Sequence, residues 1–242
     1  MSRRARFSLA LLCVAVTYAG AARAGSLCGD VEWQARLPGL RLATARSPAL
    51  KVNFISDRTE KNPQCPRKVP ACAKRAIIVP GDEVLTAMSE GPLICALYMS
   101  AQGIATTGWL PLEDMVFPDP VSALPTEDWS GSWKRDEEAN IELKAVGDRV
   151  HMKGVATWGG RNSQRVAKGL VNTGEFSASA APRGNLLSND PAYDGTESLN
   201  EAGKSACLVA MKRLGRYLAV SDNSGCGGMN VTFGGIYVRD GK

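Results

Sequence analysis

Cys226 stands in Ser224-Gly225-Cys226-Gly227-Gly228-Met229-Asn230, with Tyr217-Leu218-Ala219-Val220-Ser221-Asp222 before it and Val231-Thr232-Phe233 after it. A cysteine among glycines, backed by strand-like runs, has three chemical readings: nucleophile, metal ligand, or half of a disulfide. The nucleophile needs a thiolate made by a neighbouring base or cation. The chain has a single histidine, His151, far upstream in Arg149-Val150-His151-Met152-Lys153, whose alternation reads as a strand with the imidazole facing solvent. No Gly-x-Ser-x-Gly elbow accompanies it for Ser-His-Asp hydrolysis. No Cys-x-x-Cys pair is present, so zinc lacks its usual ligand set. Asp136-Glu137-Glu138 and Asp222-Asn223 carry acids able to meet a cation, but their settings read as turns. No catalytic residue, metal or cofactor is therefore expected, and the disulfide is the reading that remains.

The wider cysteine pattern agrees. The chain opens with Arg3, Arg4 and Arg6, an apolar stretch from Phe7 to Val16, and Ala22-Arg23-Ala24, which together read as a cleaved signal sequence over residues 1–24. The apolar part is shorter than the about 20 residues a bilayer span needs, and no membrane span is expected elsewhere. Of seven cysteines, Cys13 leaves with the signal, so Cys28, Cys65, Cys72, Cys95, Cys207 and Cys226 remain. An even set in an exported chain points to disulfides and to a periplasmic or secreted location. Residues 1–24 also hold four arginines and no acid, so the net charge of +5 falls to +1 on cleavage. That balance, with no dense Lys/Arg cluster, argues against nucleic acid as a partner.

A hairpin folded at Leu214-Gly215-Arg216 brings Cys207 opposite the residues just before Cys226, and a bulge at Ser224-Gly225 closes the remaining gap. Such a bridge contributes about 3 kcal/mol. Cys65 and Cys72 flank a proline-rich loop suited to local closure. Cys28 with Cys95 would then tie the N-terminal arm to a central strand, although four cysteines allow three pairings.

Strand-like runs must position these groups. They recur as Ala76 to Val79, Leu93 to Met99, Asn140 to Val146, Arg149 to Ala156, Ala206 to Met211, Tyr217 to Val220 and Val231 to Val238, and no long stretch carries a helical stripe. Three prolines in Phe117-Pro118-Asp119-Pro120-Val121-Ser122-Ala123-Leu124-Pro125 mark a linker over 118–127. The expected architecture is all-β: one domain over 25–117 with an N-terminal arm, and a second antiparallel barrel or sandwich over 128–242.

Two resemblances refine this. Pro80-Gly81-Asp82-Glu83-Val84, then Leu93 to Met99, then Thr107-Gly108-Trp109-Leu110 resembles a bacterial SH3-like domain over about residues 50–116. Exported members of that family commonly bind peptidoglycan or peptides, which implies an envelope partner and makes Trp109 and Tyr98 the candidate binding residues. Trp109 has a competing role filling the barrel core. In the second block, Gly131-Ser132-Trp133 resembles the first strand of lipocalin-type barrels, with Arg239 matching the arginine that packs over the tryptophan. This block also resembles C-terminal domains of uncharacterised exported alphaproteobacterial proteins. The stretch around Cys226 is similar to the cysteine motif of L,D-transpeptidases but lacks its histidine. The function expected is non-enzymatic binding or structural service in the bacterial envelope, with peptidoglycan or an envelope protein as partner. Lysozyme inhibition and small-ligand binding in a barrel are the alternatives, and a cysteine-dependent peptidoglycan enzyme is the remote one.

Mature protein, unfolded without reductant and treated with an alkylating or chromogenic thiol reagent, is expected to register no free thiol. Labelling of Cys226 would restore the nucleophile.

Overall fold

The computed structural model describes residues 27–46, 51–100, 103–119, 123–195, 199 and 206–240. The signal sequence read over 1–24, and residues 120–122 of the linker, lie outside them. Among the described residues the chain is all-β, with two antiparallel sheets.

The first sheet contains β1 (Arg41–Ala45), β2 (Val52–Ile55), β3 (Ala73–Ile78), β4 (Glu83–Glu90), β5 (Leu93–Met99), β6 (Ala105–Pro111) and β7 (Met115–Val116). Their spatial order is β3-β2-β6-β5-β4-β1-β7, curled as a half-barrel. The second contains β8 (Gly131–Lys134), β9 (Ala139–Val146), β10 (Arg149–Trp158), β11 (Asn172–Ala180), β12 (Leu186–Ser188), β13 (Val209–Leu214), β14 (Tyr217–Asp222) and β15 (Gly235–Arg239). Its order, β11-β10-β9-β8-β15-β14-β13-β12, pairs the first strand with the last and leaves a nearly closed barrel, open between β11 and β12.

Side-chain alternation sets the register of this barrel. Along β10, Val150, Met152, Gly154 and Ala156 are buried while Arg149, His151, Lys153 and Val155 are exposed. Gly154 is required by a close approach: a Cβ there would lie 2.2 Å from the Phe176 ring. Phe176 and Phe233 meet edge to face at 4.8 Å beside it. Trp129, Trp133, Met152, Met211, Leu218 and Tyr237 complete a packed interior.

At the open seam between β11 and β12, the segment that follows β14 covers part of the β11 edge. Asp222 organises it: Oδ2 accepts from Thr232 Oγ1 at 2.8 Å, Gly234 N at 3.1 Å and Phe233 N, and Oδ1 accepts from Ser224 N at 2.8 Å. Ser224 turns the chain with φ of 58°. Gly227 then bridges to Gly174 of β11, Gly228 N donates to Thr173 O at 3.1 Å, and Asn172 Nδ2 donates to Met229 O at 2.7 Å. The Cys207–Cys226 bridge, with a Cα–Cα distance of 4.4 Å, fastens this strap to the start of β13.

Each sheet keeps an apolar cluster of its own, and a third cluster is shared between them. One apolar cluster joins Trp33 and Leu37 of the arm, Leu85, Leu97, Met99 and Trp109 of the first sheet, and Ala210, Tyr217, Ala219 and Ile236 on the outer face of the barrel. The reason lies in composition: apart from Lys212, the outward positions of β13 to β15 are small or apolar where a solvated barrel face would be polar. The β13–β14 hairpin, turning at Gly215-Arg216, delivers polar contacts to the same junction. Arg216 N donates to Glu83 Oε2 at 3.0 Å, and Arg216 Nη2 donates to Met99 O. Tyr217 Oη donates to Glu83 O at 2.6 Å and accepts from Met99 N at 3.4 Å.

Burial is the main cause pushing the Tyr217 phenol up from 10.0 to about 12. The folded state keeps a proton that the unfolded chain releases near 10. This contribution is complete below about pH 10 and is lost as pH rises toward about 12, on the order of 3 kcal/mol in all. Comparing denaturant midpoints of wild type and Tyr217→Phe along an alkaline series isolates it from Tyr193 and Tyr237, which shift the same way, and Lys212, which shifts oppositely. The wild type is expected to lose stability more steeply than the variant.

Candidate functional site

Each group singled out in the sequence has a definite place. Cys226 is bonded to Cys207, so it presents no thiolate. Cys65 is bonded to Cys72, the local closure expected of its loop, and Cys28 to Cys95, which selects one of the three pairings the sequence left open. His151 is exposed on the outer face of the barrel, opposite Lys144 and Ser179 on the flanking strands. Asp136 accepts from Arg135 Nε at 3.1 Å and from Glu138 N at 2.8 Å, while Glu138 Oε1 accepts from Arg161 N at 3.2 Å; these acids hold the β8–β9 turn. Both oxygens of Asp222 are occupied by the donors of the strap.

The binding reading of Trp109 is corrected. Its ring is 0% exposed, and Nε1 donates to Asp57 Oδ1 at 2.7 Å. Asp57 accepts as well from Cys28 N at 2.7 Å and Gly29 N at 2.9 Å, so this carboxylate fastens both the indole and the arm. Tyr98 is half-buried, with the Arg216 guanidinium 5.6 Å from its ring centre. The two aromatics cannot share a groove. Trp109 pairs across from Cys95, and Tyr98 lies three positions beyond Cys95, an odd offset that places the aromatics on opposite faces of the sheet. Their side chains accordingly belong to different apolar clusters.

Trp133 lies inside the barrel, beneath two cations. The guanidinium carbons of Arg213 and Arg239 stand 4.9 and 5.2 Å from its ring centre. Arg239 Nη2 also donates to Asp128 O at 2.9 Å and Ser130 O at 2.8 Å, clamping the start of β8.

Concave surface with open chemistry occurs where the two sheets meet. A cleft of about 520 Å³ has Leu40, Leu42, Leu124 and Leu214 among its walls together with Arg41, Lys212 and Arg213. A second lobe of about 430 Å³ shares Pro38, Asn185 and Lys212 with it and adds Tyr193, Arg183 and Asp194. Both volumes fall in the range of small-molecule sites, about 300–1,000 Å³. Lys212 separates the lobes. It points outward from β13 because Met211 and Arg213 take the inward positions. Its Nζ donates to Pro38 O at 2.9 Å and Leu40 O at 3.1 Å. Among the described residues it forms no ion pair, and burial holds its ammonium below the usual lysine range. Arg213 is likewise lowered, by burial first and then by Arg239. Tyr193 is 6% exposed, and its hydroxyl has no hydrogen-bond partner among the described residues. Burial, then Asp194, raises its phenol above 10.0.

Neither Asp57 nor Lys212 carried a sequence signal. Asp57 lies in a polar run after β2, and Lys212 reads as one more charged residue in an alternating strand. No family model, curated protein or solved structure matches the chain.

Asp57→Ala leaves the Trp109 N–H and two backbone N–H groups without their acceptor, and is expected to destabilise the fold by about 2–4 kcal/mol. Asp57→Asn, which keeps one acceptor oxygen, is expected to lose less. Urea unfolding of the three proteins measures the order, and equal stability of Asp57→Ala and wild type would remove the clamp role.

Proposed function

We propose that this chain is an exported, non-enzymatic binding protein of the cell envelope whose ligand sits in the cleft between its two sheets. The cleft itself carries this reading: apolar walls meet an ammonium and a phenol that the described residues leave without a counter-ion and without a partner, respectively. Buried polar groups are ordinarily satisfied, so such a pair invites a bound molecule.

Three disulfides and the arginine-led apolar N-terminus support export. The Cys207–Cys226 bridge speaks against thiolate chemistry at the motif that most resembled an active centre. Of the binding roles expected for such a protein, the small ligand is favoured over peptidoglycan held by the first sheet, because burial of Trp109 removes half of the aromatic pair that sheet would offer.

Native mass spectrometry of mature protein taken from an oxidising compartment is expected to reveal a non-covalent small-molecule adduct. Leu42→Trp and Leu214→Trp, which fill the cleft from β1 and β13, are each expected to reduce its occupancy while circular dichroism stays unchanged. Absence of any adduct, together with strong co-sedimentation of the protein with purified peptidoglycan sacculi that neither variant weakens, would move the function to the outer surface.

A further inference from the structure

The two lobes differ in chemistry, and that difference defines a ligand. The larger has an apolar floor of leucines. The smaller carries the orphan hydroxyl of Tyr193 and the exposed side of Lys212. Lys212 already gives two of its three N–H donors to the carbonyls of Pro38 and Leu40. Carbonyl dipoles solvate an ammonium but supply no opposing charge, so one donor and one full positive charge remain for an anion. Among the described residues lining the smaller lobe the charged ones are Arg183, Lys212 and Asp194, a balance of one positive charge that suits a single negative charge better than a phosphate dianion.

We infer that the joined lobes take a small amphipathic monocarboxylate, its head group received by Lys212 and Tyr193 and its apolar body lying along Leu40, Leu42, Leu124 and Leu214. This rests on the cleft being the ligand seat. Two features of the site match that shape of molecule. A carboxylate offers separate acceptor oxygens to an ammonium N–H and a phenol O–H, whereas an alcohol offers one weaker acceptor. The cleft adjoins the lobe through Lys212 itself, so a head group at the ammonium has an apolar wall on one side only, as a molecule with one polar end requires. Arg213 is a poorer receiver: its guanidinium is spent on Trp133 and on the carbonyls of Gly215 and Asp128. Arg41 is exposed, and it rests on Phe117 with its guanidinium carbon 4.5 Å from the ring centre.

The probes are sodium decanoate and N-acetyl-leucyl-leucine, each compared with its neutral counterpart, 1-decanol and the dipeptide amide, by isothermal titration calorimetry on the full mature protein. At least one carboxylate is expected to bind about tenfold tighter than its neutral partner. The tighter of the two names the source as acyl chain or peptide terminus. In the acyl series, affinity is expected to rise about threefold per methylene from hexanoate to decanoate. Lys212→Met keeps the apolar stem and is expected to abolish the preference for carboxylate over decanol, with the decanol affinity of the variant reporting how far the cleft survives loss of the bonds to Pro38 O and Leu40 O. Tyr193→Phe tests the second donor without touching the arm, and is expected to weaken the carboxylate about threefold to tenfold. Equal binding of acids and neutral partners, or carboxylate preference that survives both variants, would overturn the ligand class. If in addition Leu42→Trp and Leu214→Trp leave all binding unchanged, the cleft itself fails as the seat, which separates the two conclusions.

Discussion

The structure depends on holding one short segment, Trp33 to Leu40, between two sheets. This arm is a run of 3-10 turns with few internal hydrogen bonds, and it has no stability of its own. It is fixed at both ends by interactions of different kinds. At the front, the Cys28–Cys95 bridge closes a loop with a sequence separation of 67, which restricts the unfolded chain by about 4 kcal/mol, and Asp57 receives the backbone N–H groups of Cys28 and Gly29. At the rear, Lys212 grips the carbonyls of Pro38 and Leu40. Between these points Trp33, Leu37 and Leu40 bury their side chains, and the outer face of the barrel gains a partner it would otherwise lack. Fully burying a large apolar side chain contributes about 1.5–3 kcal/mol, so three of them offset much of the ordering entropy of the arm.

The same arrangement makes the cleft. An arm wedged between two curved sheets cannot fill the whole junction, and the remainder opens beside Leu40, where the arm runs into β1. Lys212 is thus drawn into two roles by one position. Its charge is half-buried because it must reach the arm, and among the described residues it has no acidic partner because the arm offers only carbonyls. A buried charge solvated by dipoles alone is tolerated when further polar contact is within reach, and the lobe beside Tyr193 supplies the space for it.

The barrel, by contrast, is a packed support. Its seam between β11 and β12 carries no ladder, and an open seam would expose backbone groups on both edges. The strap after Asp222 satisfies part of the β11 edge, and the Cys207–Cys226 bridge keeps it there. The glycines around Cys226 serve close backbone approach: a Cβ on Gly227 would stand 2.6 Å from the Gly174 Cα. With Trp133 capped by Arg213 and Arg239, the interior is occupied by side chains, and the space left for a small molecule lies outside it.

The sequence by itself determined several features that depend on neighbours along the chain, though not β1, β2 or β11. Alternation marked β9, β10, β13 and β14; Leu214-Gly215-Arg216 marked the hairpin turn; and the hairpin's length brought Cys207 to Cys226. Local closure of Cys65 with Cys72 followed from the prolines between them. What only the tertiary structure decided is where distant segments meet. Trp109 was legible as a strand residue, but whether its ring faced solvent or core depended on the arm and Asp57 covering that face. Lys212 meets Pro38 across 174 residues, and no periodicity or motif records such a pairing. Local pattern fixes which way a side chain leaves its own strand, because the backbone repeats every two residues. What waits beyond that side chain is set by how two sheets pack, and at this junction packing turned an ordinary strand lysine into the centre of the candidate site.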